Sequence, residues 1–319
     1  MSPRPVLIVD ALNLFIRHFV ANPMMNESGD HVGGFVGFLK SLGMLCERTI
    51  PKEVIVVWEG GGSPRRRAIL KNYKDKRRPV KMNRYYDGHE IPDTLENRNS
   101  QISLIIEALG NLPCNQIYVP DCEADDIISR VVKYSRQEDR KVIVSSDKDL
   151  YQLLSRKTIQ WSPGQKKYIT PKTVAEKFGL SVENFCTARS FIGDQSDKIK
   201  GVKGAGFSSL VKRFPELSDD NFLSVGDVVA LAKHRIEEKK LKLFENIIRD
   251  EKVAKRNWRL MYLDTTNISA HQVEKIDYVL DNFEPVSNKI KLIKLLKREG
   301  VNNFNIDAFF VALTAVNRK

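Results

Sequence analysis

The chain has 319 residues, 42% hydrophobic and 29% charged, which suits about two soluble domains with buried cores. Its 52 Lys and Arg against 40 Asp and Glu give a formal charge of +12, and the pI near 9.4 points to a polyanionic partner, nucleic acid or an anionic membrane surface. Four scattered cysteines and five histidines without ligand spacing argue against a zinc centre or disulfide frame, and no apolar run reaches the roughly 20 residues of a membrane span.

The opening MSPRPVLIVD holds too short an apolar run for a secretory signal, so a cytoplasmic protein is expected. Within it, Val6 to Val9 is a strand apolar on both faces, ending at Asp10. EVIVVWEGGG repeats the pattern: a strand from Val54 to Trp58, then Glu59 in a glycine-rich turn. NQIYVPDCEADD gives a short strand followed by Glu123, Asp125 and Asp126 before a helix. RKVIVSSDKDLYQLL gives a strand from Val142 to Val144, then Asp147 and Asp149, then helix. Strands alternating with helices predict an α/β fold, a mostly parallel central sheet flanked by helices.

Acidic residues are welcome in the first turn of a helix, so each acid alone has a plain explanation as a cap. Four strands, however, each deliver acids just past their carboxyl ends, the edge at which open α/β sheets bind ligands. Glu59 caps nothing evident in its own turn, and the convergence favours a carboxylate cluster.

Residues 64–86 set ten bases (Arg65, Arg66, Arg67, Lys71, Lys74, Lys76, Arg77, Arg78, Lys81 and Arg84) against Asp75 alone, with Tyr73, Tyr85 and Tyr86 interleaved. So one-sided a segment is either a solvated loop or a phosphate-gripping element whose tyrosines stack on bases, ordering best on an anionic partner. Strand signals fade from about residue 180. FIGDQSDKIKGVKGAGFSSLVKRF adds Asp194 and Asp197, then a glycine turn at 201–206 surrounded by Lys198, Lys200, Lys203, Lys212 and Arg213. Closely spaced glycines let backbone amides approach a phosphate. ALAKHRIEEKKLKLFENIIRDEKVAKR has the pattern of one solvated amphipathic helix.

The collected acids are Asp10, Glu59, Glu123, Asp125, Asp126, Asp147, Asp149, Asp194 and Asp197. Such a group cannot share a pocket uncompensated. Oxygen donors without Cys or His suit two hard cations, Mg²⁺ or Mn²⁺, which can clamp the attacking and leaving oxygens of a phosphoryl displacement. With basic flanks, metal-dependent phosphodiester hydrolysis in nucleic acid is the economical reading. A D-x-D phosphatase, a non-catalytic basic DNA-binding protein whose acids are caps and ion-pair partners, and a PIN-type ribonuclease remain alternatives.

EADDII, SSDKDLYQLL and GDQSDKIKGVKGAG resemble the E-A-D-D, D-x-D and G-D-x-x-D-N-I-x-G-V-x-G-I-G signatures of the 5′-nuclease (flap endonuclease) family, in order, from Val6 to about Phe214. QWSPGQKKY further resembles the phage branch with a member called a ribonuclease H. The resemblance implies a nuclease domain over 1–180 with a basic helical arch at about 62–100, and a mainly helical DNA-binding domain over 181–319. It implies a 5′→3′ exonuclease and flap endonuclease working as a monomer in replication and repair. Its substrate would be DNA with a single-strand/duplex junction, or an RNA–DNA hybrid, in company with replication proteins and away from membranes. GVKGAG would be the turn of a helix–three-turn–helix gripping duplex through Lys203, Gly204, Gly206, Lys212 and Arg213, with a K⁺ on backbone carbonyls. The nine acids would hold the metals, Arg66 and Lys74 would contact the scissile phosphate, and Tyr73 would bind nucleic acid. Glu59 stands where the family has Asp, and Lys198 and Lys200 where it has Asn and Pro.

Overall fold

The computed structural model describes residues 3–75, 85–86, 88–91 and 93–316, and of Tyr85 and Tyr86 the backbone only. Lys76, Arg77, Arg78, Lys81 and Arg84 of the basic segment lie outside the described residues.

A six-stranded sheet forms the centre: β1 (Val6–Asp10), β2 (Glu53–Trp58), β3 (Asn115–Tyr118), β4 (Lys141–Val144), β5 (Thr158–Ser162) and β6 (Lys167–Ile169). Their order is β3-β2-β1-β4-β5-β6. The first five are parallel, and β6 returns antiparallel to β5. Val6 pairs with Glu53 on one side and Lys141 on the other, so β1 is central. Strand order reverses beside β1, which opens a crevice at the carboxyl ends of β1 and β4.

The apolar strand runs are explained by two covered faces. Leu7, Val9, Val54, Val56, Val142 and Val144 point into one core with the helices Ala11–Ala21, Gly33–Thr49 and Leu95–Leu109. Val6, Ile8, Ile55, Val57 and Ile143 point into another with the helices Ala124–Arg130 and Ala270–Asp281. A third core joins Tyr151, Ile169, Phe185, Phe191, Leu210, Phe214 and Ala254.

The single amphipathic helix expected over 230–256 proves to be three, Val225–Glu238, Lys242–Arg249 and Glu251–Met261. β5 and β6 add a hairpin to the sheet, pinned by Trp161 edge-on to Tyr168 at 4.9 Å. Leu292, Leu295, Leu296, Phe309 and Leu313 return to the first sheet core, and Ile276 and Leu280 to its opposite face.

Candidate active site

Asp10 ends β1 and caps the following helix. Its Oδ1 accepts from the Asn13 amide at 3.2 Å, while its Oδ2 accepts from the Ser145 hydroxyl at 2.9 Å, so β4's end holds the side chain over the crevice. Ser145 also accepts from the Asp147 amide, and Asp147 accepts from the Asp149 amide at 2.8 Å, which curls the loop after β4 back towards β1.

Glu59 follows β2, and Gly60 next to it is obligatory for a steric reason. A Cβ there would lie 1.8 Å from the Val119 carbonyl oxygen and 2.7 Å from that of Cys122. The close approach is closed by the Gly60 amide on the Cys122 carbonyl at 3.0 Å and the Asp121 amide on the Gly60 carbonyl at 2.8 Å. This brings Glu59 to the helix opened by Ala124: its carboxylate accepts from the Ala124 amide at 3.3 Å and the Gly62 amide at 3.1 Å. Glu59 therefore does cap a helix, one that starts 65 residues away, contrary to the expectation that it caps nothing.

Glu123 occupies the cap position of that same helix but makes no cap bond. It is 2% exposed; its Oε2 accepts from Lys74 Nζ at 2.7 Å and the Tyr73 hydroxyl at 3.1 Å, with Arg66 Nη1 at 3.3 Å. Its Oε1 is buried and has no hydrogen-bond partner among the described residues. Burial works against the charge, yet Lys74 and Arg66 hold its carboxyl below the usual range.

Asp126 and Arg66 depart from their expected roles. Arg66, 2% exposed, binds Asp126 with both terminal nitrogens, at 2.5 and 2.7 Å, and its Nε donates to the Leu260 carbonyl at 2.8 Å. The pair is an internal strut between the basic segment, the helix Ala124–Arg130 and the Leu260 carbonyl, and Arg66 also reaches Glu123. Tyr73, expected to stack on bases, is buried against Glu123 instead.

The remaining acids fall into two groups. Asp10, Asp125, Asp147, Glu59 and Glu123 influence one another. Burial, then Asp147 and Glu59, push Asp10 up to about 7; burial, then Asp147, Asp10 and Glu123, push Asp125 well above the carboxylate range. Burial and Glu123 also raise Glu59. Asp149 and Asp194 form the second group, bridged by Arg189, a residue the sequence did not single out. Burial and Asp147 raise Asp149 to about 6 against the pull of Arg189. The buried Asp197 lies beside the basic segment, its carbonyl accepting from the Lys74 amide at 3.3 Å.

Among the described residues no three acid, His or Cys side chains close on one point as around a bound ion. Lys74 instead sits on Glu123, and Arg189 on Asp149 and Asp194. The donors still fit a hard divalent cation: all are carboxylate oxygens, several are raised by one another, and Glu123 Oε1 is an orphaned buried acceptor.

The glycine turn lies beyond this site. Lys203, Gly204 and Lys212 are exposed, Gly204 has φ +86°, and Asn246 anchors the turn by donating to the Lys203 carbonyl at 2.9 Å. Gly206 caps the helix Phe207–Arg213, and Arg213 stands half-buried at its end. Lys198, in the preceding turn, adopts φ +59°, a conformation Asn tolerates better.

Residues 5–179 match the family described as 5′-3′ exonuclease, N-terminal resolvase-like domain. A 5′-3′ exonuclease of Bacillus subtilis is 31% identical over 227 residues, covering 68% of this chain and 71% of that protein. The thermostable DNA polymerase I of Thermus thermophilus is 33% identical over 213 residues, 66% of this chain. That stretch is 24% of the polymerase, so the match spans about a quarter of such relatives. Among solved structures, a bacteriophage T5 D15 flap endonuclease complexed with DNA and metal ions superimposes with TM-score 0.66 at 20% identity, covering 92% of this chain and 98% of that one. The catalytic core of Rad2 with DNA substrate gives 0.54 at 15% identity, covering 99% and 93%. At these identities the two structures share the fold.

Proposed function

This chain belongs to the 5′–3′ exonuclease family; we propose that it is a 5′ nuclease that depends on Mg²⁺ or Mn²⁺ and hydrolyses phosphodiester bonds at the 5′ ends and 5′ flaps of duplex DNA. The observation that carries this reading is the acidic crevice between β1 and β4, where burial and neighbouring carboxylates raise Asp10 and Asp125 and one Glu123 oxygen has no hydrogen-bond partner among the described residues.

Asp10, Asp125, Asp147 and Glu123 would hold the cations, with Glu59 fixing the position of Glu123's helix. When bound, the ions polarise the phosphodiester and activate water for in-line attack. Lys74 releases Glu123 and neutralises the phosphate as charge develops on it. Arg66 and Asp126 brace the base of the basic segment. Lys203, Gly204, Gly206 and Lys212 hold the duplex backbone at a distance from the crevice, which makes the cut depend on the junction rather than on base sequence. An RNA–DNA hybrid, a K⁺ at the glycine turn, replication-protein partners and a monomeric state belong to the same proposal.

The test is digestion of an end-labelled 5′-flap duplex with Mg²⁺, with EDTA, and with Asp147→Asn. Product in Mg²⁺ alone is expected, with Asp147→Asn slower by at least about 100-fold, the scale seen when one transition-state stabiliser is removed. Equal product in EDTA would overturn the metal dependence. No product in Mg²⁺ would leave a DNA-binding protein, and preferred cleavage of single-stranded RNA would point to a ribonuclease.

A further inference from the structure

Between the basic segment and the glycine turn lies a cavity of about 670 Å³, apart from the acidic residues of the crevice. Leu70 and Asn72 line it from the basic segment, Ile199 gives it an apolar side, and Lys198, Lys200 and Arg256 supply charge. Among the described residues no acid lines it. One buried side chain builds it. Asn257 is fully enclosed; its Nδ2 donates to the Ser190 carbonyl at 2.9 Å and the Lys200 carbonyl at 2.8 Å. Its Oδ1 accepts from Arg256 Nη2 at 2.8 Å, so one residue holds both the backbone of Lys200 and the guanidinium of Arg256. Gly201 lets this backbone approach the helix Phe185–Ile192, since a Cβ there would lie 2.0 Å from the Ile192 carbonyl oxygen. Lys198 closes the preceding turn, its amide donating to the Gln195 carbonyl at 3.3 Å. The two lysines thus stand on clamped backbone.

The acids near these bases in the chain are engaged elsewhere. Asp194 accepts from Ser196 and from Arg189, and Asp197 is buried and acts on Lys74. In the stretch that carries Asn72, the exposed Lys71 and Asp75 offset each other. Three bases therefore face the cavity without a lining counterion. The cavity also neighbours the crevice. The Lys74 amide donates to the Asp197 carbonyl at 3.3 Å; Asn72 comes two residues before the donor, and Lys198 directly follows the acceptor. The ammonium of Lys74 meets Glu123 in the crevice, while its neighbours in the chain line the cavity.

We propose that this cavity is a subsite for the terminal 5′ phosphate of the strand being cut, held by Lys198, Lys200 and Arg256. This rests on the nuclease reading above. With Lys74 at the scissile phosphate, a strand end that passes this point meets the three bases. A terminal phosphate carries about two negative charges and an internal phosphodiester one, so the site favours an end over the middle of a strand. The guanidinium and the two ammonium groups donate charge-assisted hydrogen bonds to its oxygens, and a 5′ hydroxyl leaves them unpaired. The same chemistry has two sources, the monophosphate of a nicked DNA strand and the triphosphate that begins an RNA primer.

The test compares cleavage rates in Mg²⁺ on recessed duplex ends: hydroxyl against monophosphate on DNA, and hydroxyl against triphosphate on an RNA primer. A DNA with a 5′ flap too long for its end to reach the cavity serves as the reference substrate. At least one phosphorylated end is expected to be cut about tenfold faster than its hydroxyl counterpart, the scale of one charge-assisted hydrogen bond. Preference for the monophosphate alone assigns the cavity to nicked DNA, and preference for the triphosphate alone assigns it to primers. Lys200→Gln and Arg256→Gln, checked for folding by circular dichroism, should abolish the preference and cut the long flap at the wild-type rate. If Arg256→Gln does not fold, Lys200→Gln decides, since that side chain is exposed. Equal rates on hydroxyl and phosphorylated ends would overturn the proposal and leave the nuclease reading standing. So would variants that slow the long flap and the recessed ends alike, as a general grip on duplex backbone requires. No cleavage of any of these substrates by the wild-type protein would overturn both.

Discussion

Lys74 and Arg66 both approach Glu123, at 2.7 and 3.3 Å, yet Lys74 is 23% exposed and Arg66 2%. A cation that can leave its carboxylate can serve a phosphate in the transition state; one enclosed on all sides serves the fold. Lys74→Ala is therefore expected to lower the single-turnover rate on a 5′ flap by about 100-fold while affinity in Ca²⁺ changes little. Arg66→Ala should instead leave Asp126 buried without its partner and cost about 3–5 kcal/mol in urea unfolding. Loss of flap affinity in Lys74→Ala with its rate intact would remove it from the reaction. Seven of the nine acids could be found from sequence because they follow apolar strands; Asp194 and Asp197 follow a helix and stood out only through their motif. The Arg66–Asp126 pair and the Arg189–Asp149 contact could not, since the partners lie 60 and 40 residues apart and no local pattern encodes such contacts.

At the scale of elements, the turn after β2 and the loop before the helix Ala124–Arg130 are one unit, clipped through Gly60 and Glu59. Gly60→Ala would drive its Cβ into two backbone carbonyl oxygens, which cannot rotate aside as a side chain could. Overpacking of this kind costs about 1–3 kcal/mol or more. The expected outcome is a lower urea midpoint together with slower cleavage, since Glu59 and Glu123 shift with the turn. A midpoint like wild type would show that the contact relaxes freely. The four strands of β1 to β4 were legible because apolar runs buried on two faces need no tertiary information. The β5–β6 hairpin was signalled by Ser162-Pro163-Gly164 between Trp161 and Tyr168, a turn flanked by aromatic residues that pair across it, but its strands are short and the second opens on Lys167. The break of the long helix at Lys239 and Leu241 has no Gly or Pro to announce it; Phe244 and Ile247 bury in the third core only if the chain bends.

Across the whole molecule, the acidic crevice sets the pH dependence of stability. Asp10 rises from an ordinary 3.8 to about 7 and Asp149 from 3.8 to about 6, with Asp125 and Glu59 raised as well. Between about pH 4 and 7 the folded protein consequently holds more protons than the unfolded chain, and its stability falls as pH rises through that window. His18, lowered to about 4 by burial and then Arg17, acts in the opposite sense between 4 and 6.5, since there the unfolded chain holds the extra proton. His31, lowered by burial, acts in the same sense, and five raised carboxylates, Asp126 included, outweigh the two. In EDTA the melting temperature is expected to decline from pH 5 to 7.5. Millimolar Mg²⁺ or Mn²⁺ should reverse the trend, because an ion binds only the deprotonated oxygens and stabilises the state that binds it. The gap between melting curves with and without metal should thus widen with pH. Asp10→Asn should flatten the decline in EDTA and narrow the gap. Because the helices Lys289–Arg298 and Ile306–Leu313 pack on the same core as β1, the effect should appear in one cooperative transition, not only in the half that carries the acids. A metal-induced shift that is the same at pH 5 and 7.5 would mean that these carboxylates do not take up the ion.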